Sequence, residues 1–294
     1  MRFAGCSGCV RSTARVPCFY GCRDGPWRWC WRRRTCTASS EAAPDTFTPA
    51  NREKRAALSH FQPHGVLIST GQERAERRSF TEQVLDSGAA VHRQLGEAIA
   101  AKVEQEADEL LAVARRSGCL SWDGFAVAWW RTVRRVVLGD AAREDHAITE
   151  LLSRVRRDAN WAYLNPVRKR ARAEFLARVR AYIERAEPGS LVSLVASTPS
   201  TPRTFPEEQV PHWLFAFEAG GMASFRALAL LAAHPERVSA EPAFLRACLL
   251  ESLRLWPTTP LLLRDRTEPT TWDGGSLPAT LSPFRLTFEM GMPG

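Results

Sequence analysis

The chain has 294 residues, a formal charge of +8, and hydrophobic residues at 45% of positions, enough for one large core or two smaller ones. Residues 1–56 hold eleven Arg or Lys against four Asp or Glu, so nearly all the excess charge sits there and the rest is close to neutral. A near-neutral body argues against a nucleic-acid surface. No apolar run reads as a membrane span and no apolar h-region opens the chain, so a cytoplasmic protein without membrane or nucleic-acid partners is expected. Lysine occurs only at Lys54, Lys102 and Lys169 against abundant Arg, Ala, Gly and Pro, which suggests a GC-rich, bacterial coding sequence.

The first 56 residues carry six of the eight cysteines: Cys6, Cys9, Cys18, Cys22, Cys30 and Cys36. The Cys6–Cys9 and Cys18–Cys22 spacings would suit a small zinc site, and a disulfide framework is the other folded option. Against both, the segment has neither helical nor strand periodicity and contains the run WRWCWRRR. It reads as a disordered leader, or as GC-rich sequence translated out of frame.

From about residue 60 helical periodicity runs almost unbroken to 256. Helices are expected near 71–87, 88–117, 121–138, 141–159, 165–187, 206–234 and 241–256, with 198–206 as an irregular connector. Asp140, Asn165 and the Pro206-Glu-Glu opening are reasonable starts; Gly118, Gly139 and Pro188-Gly189 are reasonable stops. After 259 the pattern turns extended: PLLLRDRT, a turn at Asp273-Gly274-Gly275, then SLPA, read as a β-hairpin. The tail 280–294 has no clear pattern. The class is mainly α with a small β element, in three stretches: 1–56, 57–279 and 280–294.

Several side chains stand out within this frame. Arg74 and Arg78 are four apart and share a helical face, with Arg77 the alternative if the register shifts by one. An arginine fork suits a carboxylate, whereas a solvated, salt-bridged helix face is the plainer reading. Gly220-Gly221 lies inside a long apolar helix, where a glycine pair permits a kink or local loosening. Glu251 and Arg254 are three apart on an apolar helix that Pro257 stops; a buried, paired acid and base are expected there. Trp129-Trp130 and Trp161 fall on apolar stripes and read as core. The six histidines show no paired metal spacing.

The segment ESLRLWPTTPLLLR, 251–264, with its Glu-x-x-Arg, its Pro-x-x-Pro exit and the later Arg264, resembles the K helix and following strand of cytochrome P-450 monooxygenases. HGVLISTGQERAERRSFTEQVL, 64–85, resembles the family's B′–C region, and WLFAFEAGGMASFRALALLAAHPE, 213–236, its long I helix. The resemblance covers roughly 57–279, about three quarters of the chain. It implies the helical core of that fold, with haem b as cofactor and Arg74, Arg78 and Arg264 as contacts to the haem propionates. It also implies that Glu251 and Arg254 brace the haem-binding loop. The I-helix motif, small–Gly–x–acid–Thr, would run Gly220, Gly221, Met222, Ala223, Ser224. Gly221 and Ser224 are then the candidate catalytic positions, with Ala223 in place of the acid.

What the resemblance implies in function is a monooxygenase that inserts one atom of dioxygen into a small organic substrate, with electrons from a ferredoxin or a flavoprotein. The family's thiolate cysteine has no counterpart, because no cysteine follows Cys248. The chain is therefore expected to be inactive as it stands, and no metal ligand can be named. A non-catalytic helical binding protein that keeps the scaffold is the alternative.

Overall fold

The computed structural model describes residues 18–20, 28–30, 46–258, 262–272, 275–277 and 284–286. They divide into two compact units: Pro49–Leu249, and Met1–Thr48 together with Leu250–Gly294.

The larger unit is helical. Its first helix, α1 (Arg52–Leu58), begins before residue 57, because Asn51 caps it: Oδ1 accepts the Lys54 N–H at 2.8 Å. Arg55 Nε donates to the Ala50 carbonyl at 2.8 Å, so residues 50–56 are built into the fold and are not part of a disordered leader. α2 (Gly71–Leu85) ends at Asp86, which is left-handed with φ 48°. The expected helix from 88 starts only at Gly96, as α3 (Gly96–Ser117). The intervening chain is held open by Asp86, which pairs with Arg93 and accepts its backbone N–H at 2.8 Å. Those bonds compete with a helical ladder over 86–95.

α4 (Trp122–Leu138) is capped by Ser121, and α5 (His146–Ala159) by Asp145. α6 (Lys169–Arg185) is followed by α7 (Leu191–Ser197), a short helix that the sequence pattern hid and that Ser190 caps. α8 (Pro206–Ala233) starts with Pro206, whose fixed φ suits a first turn. α9 (Pro242–Leu255) is the last. The apolar stripe of α5 (Ile148, Leu151, Leu152, Val155) meets Phe175 and Val179 of α6, Val133 and Val137 of α4, and Leu214 of α8 in one core. Each such side chain, fully buried, contributes about 1.5–3 kcal/mol.

Contrary to the sequence expectation, α8 is long and apolar enough to cross a membrane by length and composition alone. Within the unit it packs against α4 and α6, and Trp213 and Leu214 are buried in the core.

The smaller unit holds the strands. β1 (Cys18–Tyr20) and β2 (Arg28–Cys30) form an antiparallel pair in which Cys18 lies opposite Cys30, where no strand was expected. The cysteine side chains of the zinc reading lie outside the described residues. β3 (Phe47–Thr48) and β7 (Phe284–Leu286) flank β4 (Leu262–Arg266) in a three-stranded sheet, and β5 (Thr270–Trp272) pairs with β6 (Gly275–Leu277). The expected hairpin is thus β5–β6 alone. β4 pairs instead with strands from both ends of the chain, Phe47 opposite Arg266 and Leu262 opposite Leu286. The turn residues 273–274 lie outside the described residues.

Candidate functional site

On α8 the glycine pair meets the indole of Trp129 from α4. A Cβ on Gly221 would stand 2.7 Å from Trp129 Nε1, and one on Gly220 3.4 Å from Cζ2. The same Nε1 donates to the Phe217 carbonyl at 2.8 Å, one turn before Gly221. α8 runs as an unbroken α-helix over Pro206–Ala233. The expected loosening at Gly221 is therefore replaced by close packing: the missing side chains make room for an indole. Ser224, three residues on, lies half-buried on the same side of the helix. An aromatic seam continues from there, with Phe125 and Trp122 of α4 each 5.2 Å from the ring of Phe225.

Glu218 is the carboxylate of this stretch of α8 that finds a partner. It pairs with Arg156 of α5, whose guanidinium also lies 4.6 Å over the Phe215 ring. No role was expected for Glu218 from the sequence. The signal that could have found it was an arginine on the apolar edge of α5, a position that requires an acid nearby.

The arginines of α2 separate by one position from the expected pair. Arg78 faces solvent, 58% exposed, and pairs with Glu82 at 2.7 Å. Arg77 is the buried one. It donates to Ser69 Oγ and, at 2.8 Å, to the Arg203 carbonyl; Glu73 lies 3.2 Å away, and the Phe205 ring sits beneath the guanidinium. A 3.6-residue period turns 77, 80 and 84 inward together, so Arg77 shares a face with Phe80 and Val84 while Arg78 cannot. Arg74 is half-buried and donates to the Val66 carbonyl at 3.1 Å.

Phe205 also stacks on His64, ring centroids 3.9 Å apart. Glu208, in the first turn of α8, accepts the His64 backbone N–H at 2.6 Å and faces its Nδ1 at 2.9 Å. Gln209 accepts the Val66 N–H and donates to the His64 and Thr204 carbonyls. These bonds pin the loop before α2 to the start of α8, and no sequence motif announced them.

Glu251 and Arg254 do pair on α9, with Arg254 Nε donating to Glu251 Oε2 at 2.7 Å. The hydrogen bond from Arg254 holds the Glu251 carboxyl below its ordinary value. The pair is not the buried one expected: the Glu251 side chain is 47% exposed. Arg264 lies in β4, its backbone opposite Phe284; its side chain lies outside the described residues. Of the cysteines whose side chains are described, Cys119 is exposed at the α3–α4 turn and Cys248 lies within α9.

A separate open cleft of about 530 Å³ is lined by Gln105, Asp108, Glu109, Arg135, Asp140 and Arg143. Beneath it Glu106, 2% exposed, accepts from Arg135 Nη1 at 2.9 Å and from Arg143 Nε at 2.6 Å. Lys102 Nζ donates to the Gly189 and Arg135 carbonyls and lies 3.5 Å from Asp140. Burial lowers the Lys102 pKa. Burial would raise that of Asp140, but the hydrogen bond from Arg135 and the charge of Lys102 outweigh it and hold the carboxyl below its ordinary value. Each buried charge in the network has a partner of opposite sign, and the network reads as a brace between α3, α4 and the Asp140 turn.

No protein-family model and no curated protein matches the chain. Solved structures do. P450BioI in complex with hexadec-9Z-enoic acid ligated acyl carrier protein matches with a TM-score of 0.66 at 16% identity, over 93% of this chain and 73% of that one. Retinoic acid bound cyanobacterial CYP120A1 matches at 0.59 and 14%, over 87% of this chain and 66% of that one. A 6-coordinated cytochrome P-450 from Thermus thermophilus matches at 0.59 and 19%, over 85% and 65%. At these identities the likeness is one of fold.

Proposed function

We propose that this chain, which has the mainly α fold of the cytochromes P-450, is a protein of the haem-monooxygenase type whose 294 residues lack a working haem–thiolate centre. The observation that carries this reading is the absence from the sequence of any cysteine after Cys248, set against that fold. In haem–thiolate enzymes the sulfur ligand pushes electron density onto iron to favour O–O cleavage.

Among the described residues, the side chains expected to hold haem b have other partners. Arg78 is engaged by Glu82 at the surface, Arg74 already donates to a carbonyl, and Trp129 fills the side of α8 that Gly221 leaves open. A small organic substrate, a ferredoxin or flavoprotein donor and a cytoplasmic setting belong to the monooxygenase reading and depend on a thiolate being supplied.

One observation favours a second reading, a non-catalytic helical binding protein: the indole seated on Gly220-Gly221 turns a stretch expected to loosen into rigid packing. Titrating haemin into the purified chain and following the Soret band tests the main proposal. The expected result is no saturable one-to-one site. Saturation at one haem per chain with a thiolate-type Soret band would overturn it.

A further inference from the structure

Residues 50–62 join the helical unit ahead of its long helices, and little holds them there. α1 packs against α5 but buries none of its own side chains. The α5–α6 turn beside it gives no cover: Trp161, expected in the core, is 61% exposed, and the Arg52 guanidinium lies 5.4 Å over the exposed Tyr163 ring. The anchors come at the end of the segment. Phe61 is 2% exposed and meets the Phe215 ring of α8 edge-on at 6.3 Å, and Arg172 of α6 donates to the Ser59 carbonyl at 2.7 Å. Four buried side-chain atoms of the segment make no hydrogen bond: Asn51 Nδ2, Glu53 Oε2, His60 Nδ1 and Gln62 Oε1. Each is a polar group taken out of water without a partner, which weakens the hold of the fold on these residues.

Two imidazoles sit in this contact. His60 is 2% exposed. The charges that face it are Asp158 of α5 and Arg172 of α6, and Asp158 is already paired with Arg168. A proton on His60 would put a second cation beside Arg172, out of water, with the nearby acid engaged. His212 of α8 has its Nδ1 3.4 Å from Gln62 Nε2, with the charge of Lys54 near it. Glu208, one turn earlier on α8, is taken by His64. Burial pushes His60 below its ordinary 6.5, with Asp158 opposing and Arg172 assisting; burial and Lys54 push His212 the same way. The stabilising contribution of the neutral rings is therefore complete above 6.5 and is lost as pH falls from there to the folded values.

We propose that residues 50–62 form an acid-released latch on the helical unit: on acidification His60 and His212 take up protons, the segment lets go of α6 and α8, and Phe61 leaves its place against Phe215. The latch rests on no part of the haem reading. The test is hydrogen exchange of the full chain across the range from about pH 7.5 to about pH 5.5, with rates expressed as protection factors so that the intrinsic pH dependence of exchange cancels. The reporters are the amides of Ser59, His60, Phe61 and Gln62, which bond to the Arg55, Ala57 and Leu58 carbonyls. Below the ordinary histidine value their protection should fall about tenfold per pH unit for each histidine that charges on opening, while the amides of α4 and α5 keep theirs. His60→Gln and His212→Gln should each flatten that dependence. If His60→Gln fails to fold, His212→Gln and the wild-type profile keep the test decisive. Protection that does not change with pH overturns the proposal. So does a loss shared equally by α4 and α5, since that is unfolding of the whole unit. A pH dependence that the folded variants leave intact also overturns it, because the protons then go elsewhere.

Discussion

Gly221 and Trp129 meet more closely than a methyl group allows, and that contact is open to direct measurement. Gly221→Ala places a Cβ 2.7 Å from the indole nitrogen, so it should destabilise the chain by about 1–3 kcal/mol, the usual cost of overpacking. The loss should shrink when Trp129→Leu is present as well. Thermal melts of the two single variants and the double variant check this, and additive effects would break the proposed coupling. The arginines of α2 give a second contrast. Arg77→Ala strands the Arg203 carbonyl and Ser69 in a buried place and should cost about 1–3 kcal/mol, whereas Arg78→Ala should stay within about 0.5 kcal/mol. Equal losses in urea unfolding would contradict the assignment of Arg77 as the inward residue. A heptad-like reading of α2 could have chosen Arg77, because Phe80 and Val84 share its face; favouring Arg78 followed from the family spacing instead.

Among the elements, the long helices were legible because their apolar stripes repeat at 3.6 residues over several turns, as Ile148, Leu151, Leu152 and Val155 do. The stretch 86–95 was not, since its composition tolerates a helix and only the Asp86–Arg93 bonds exclude one. α1 and α7, seven residues each, are too short for periodicity to reveal; their caps, Asn51 and Ser190, were the readable signal. The brace between α3 and α4 left no motif either, because its partners are 29 to 37 residues apart. Glu106→Ala should cost about 3–5 kcal/mol, since it leaves Arg135 without its buried partner; a wild-type melting temperature would refute that. Asp140 adds a pH signature. Its folded pKa lies below its ordinary 3.8, so its contribution is fully present above that value and is lost as pH falls through the folded pKa. Asp140→Asn should therefore flatten the acid limb of a melting-temperature profile, and an unchanged limb would show that Asp140 is not linked to folding.

At the scale of the whole chain, the fold was legible from ESLRLWPTTPLLLR and the long apolar helix, while the site was not. Glu-x-x-Arg fixed an ion pair correctly, yet its burial depends on what packs over α9, which the local sequence does not encode; Glu251 is half-exposed. Arg74, Arg78 and Gly221 took their roles from the family resemblance. Arg74 and Gly221 are engaged by Val66 and Trp129, and Arg78 by its own helix neighbour Glu82. The central claim is that a P-450 fold is present without a haem–thiolate centre. The absorption spectrum of the haem-incubated chain after reduction and exposure to carbon monoxide tests it most directly. No thiolate-type Soret band is expected, with any bound haem giving the spectrum of a histidine- or water-ligated iron. A red-shifted ferrous–CO band of the thiolate type, present in the wild type and lost when Cys248 or Cys119 is replaced by Ser, would contradict it.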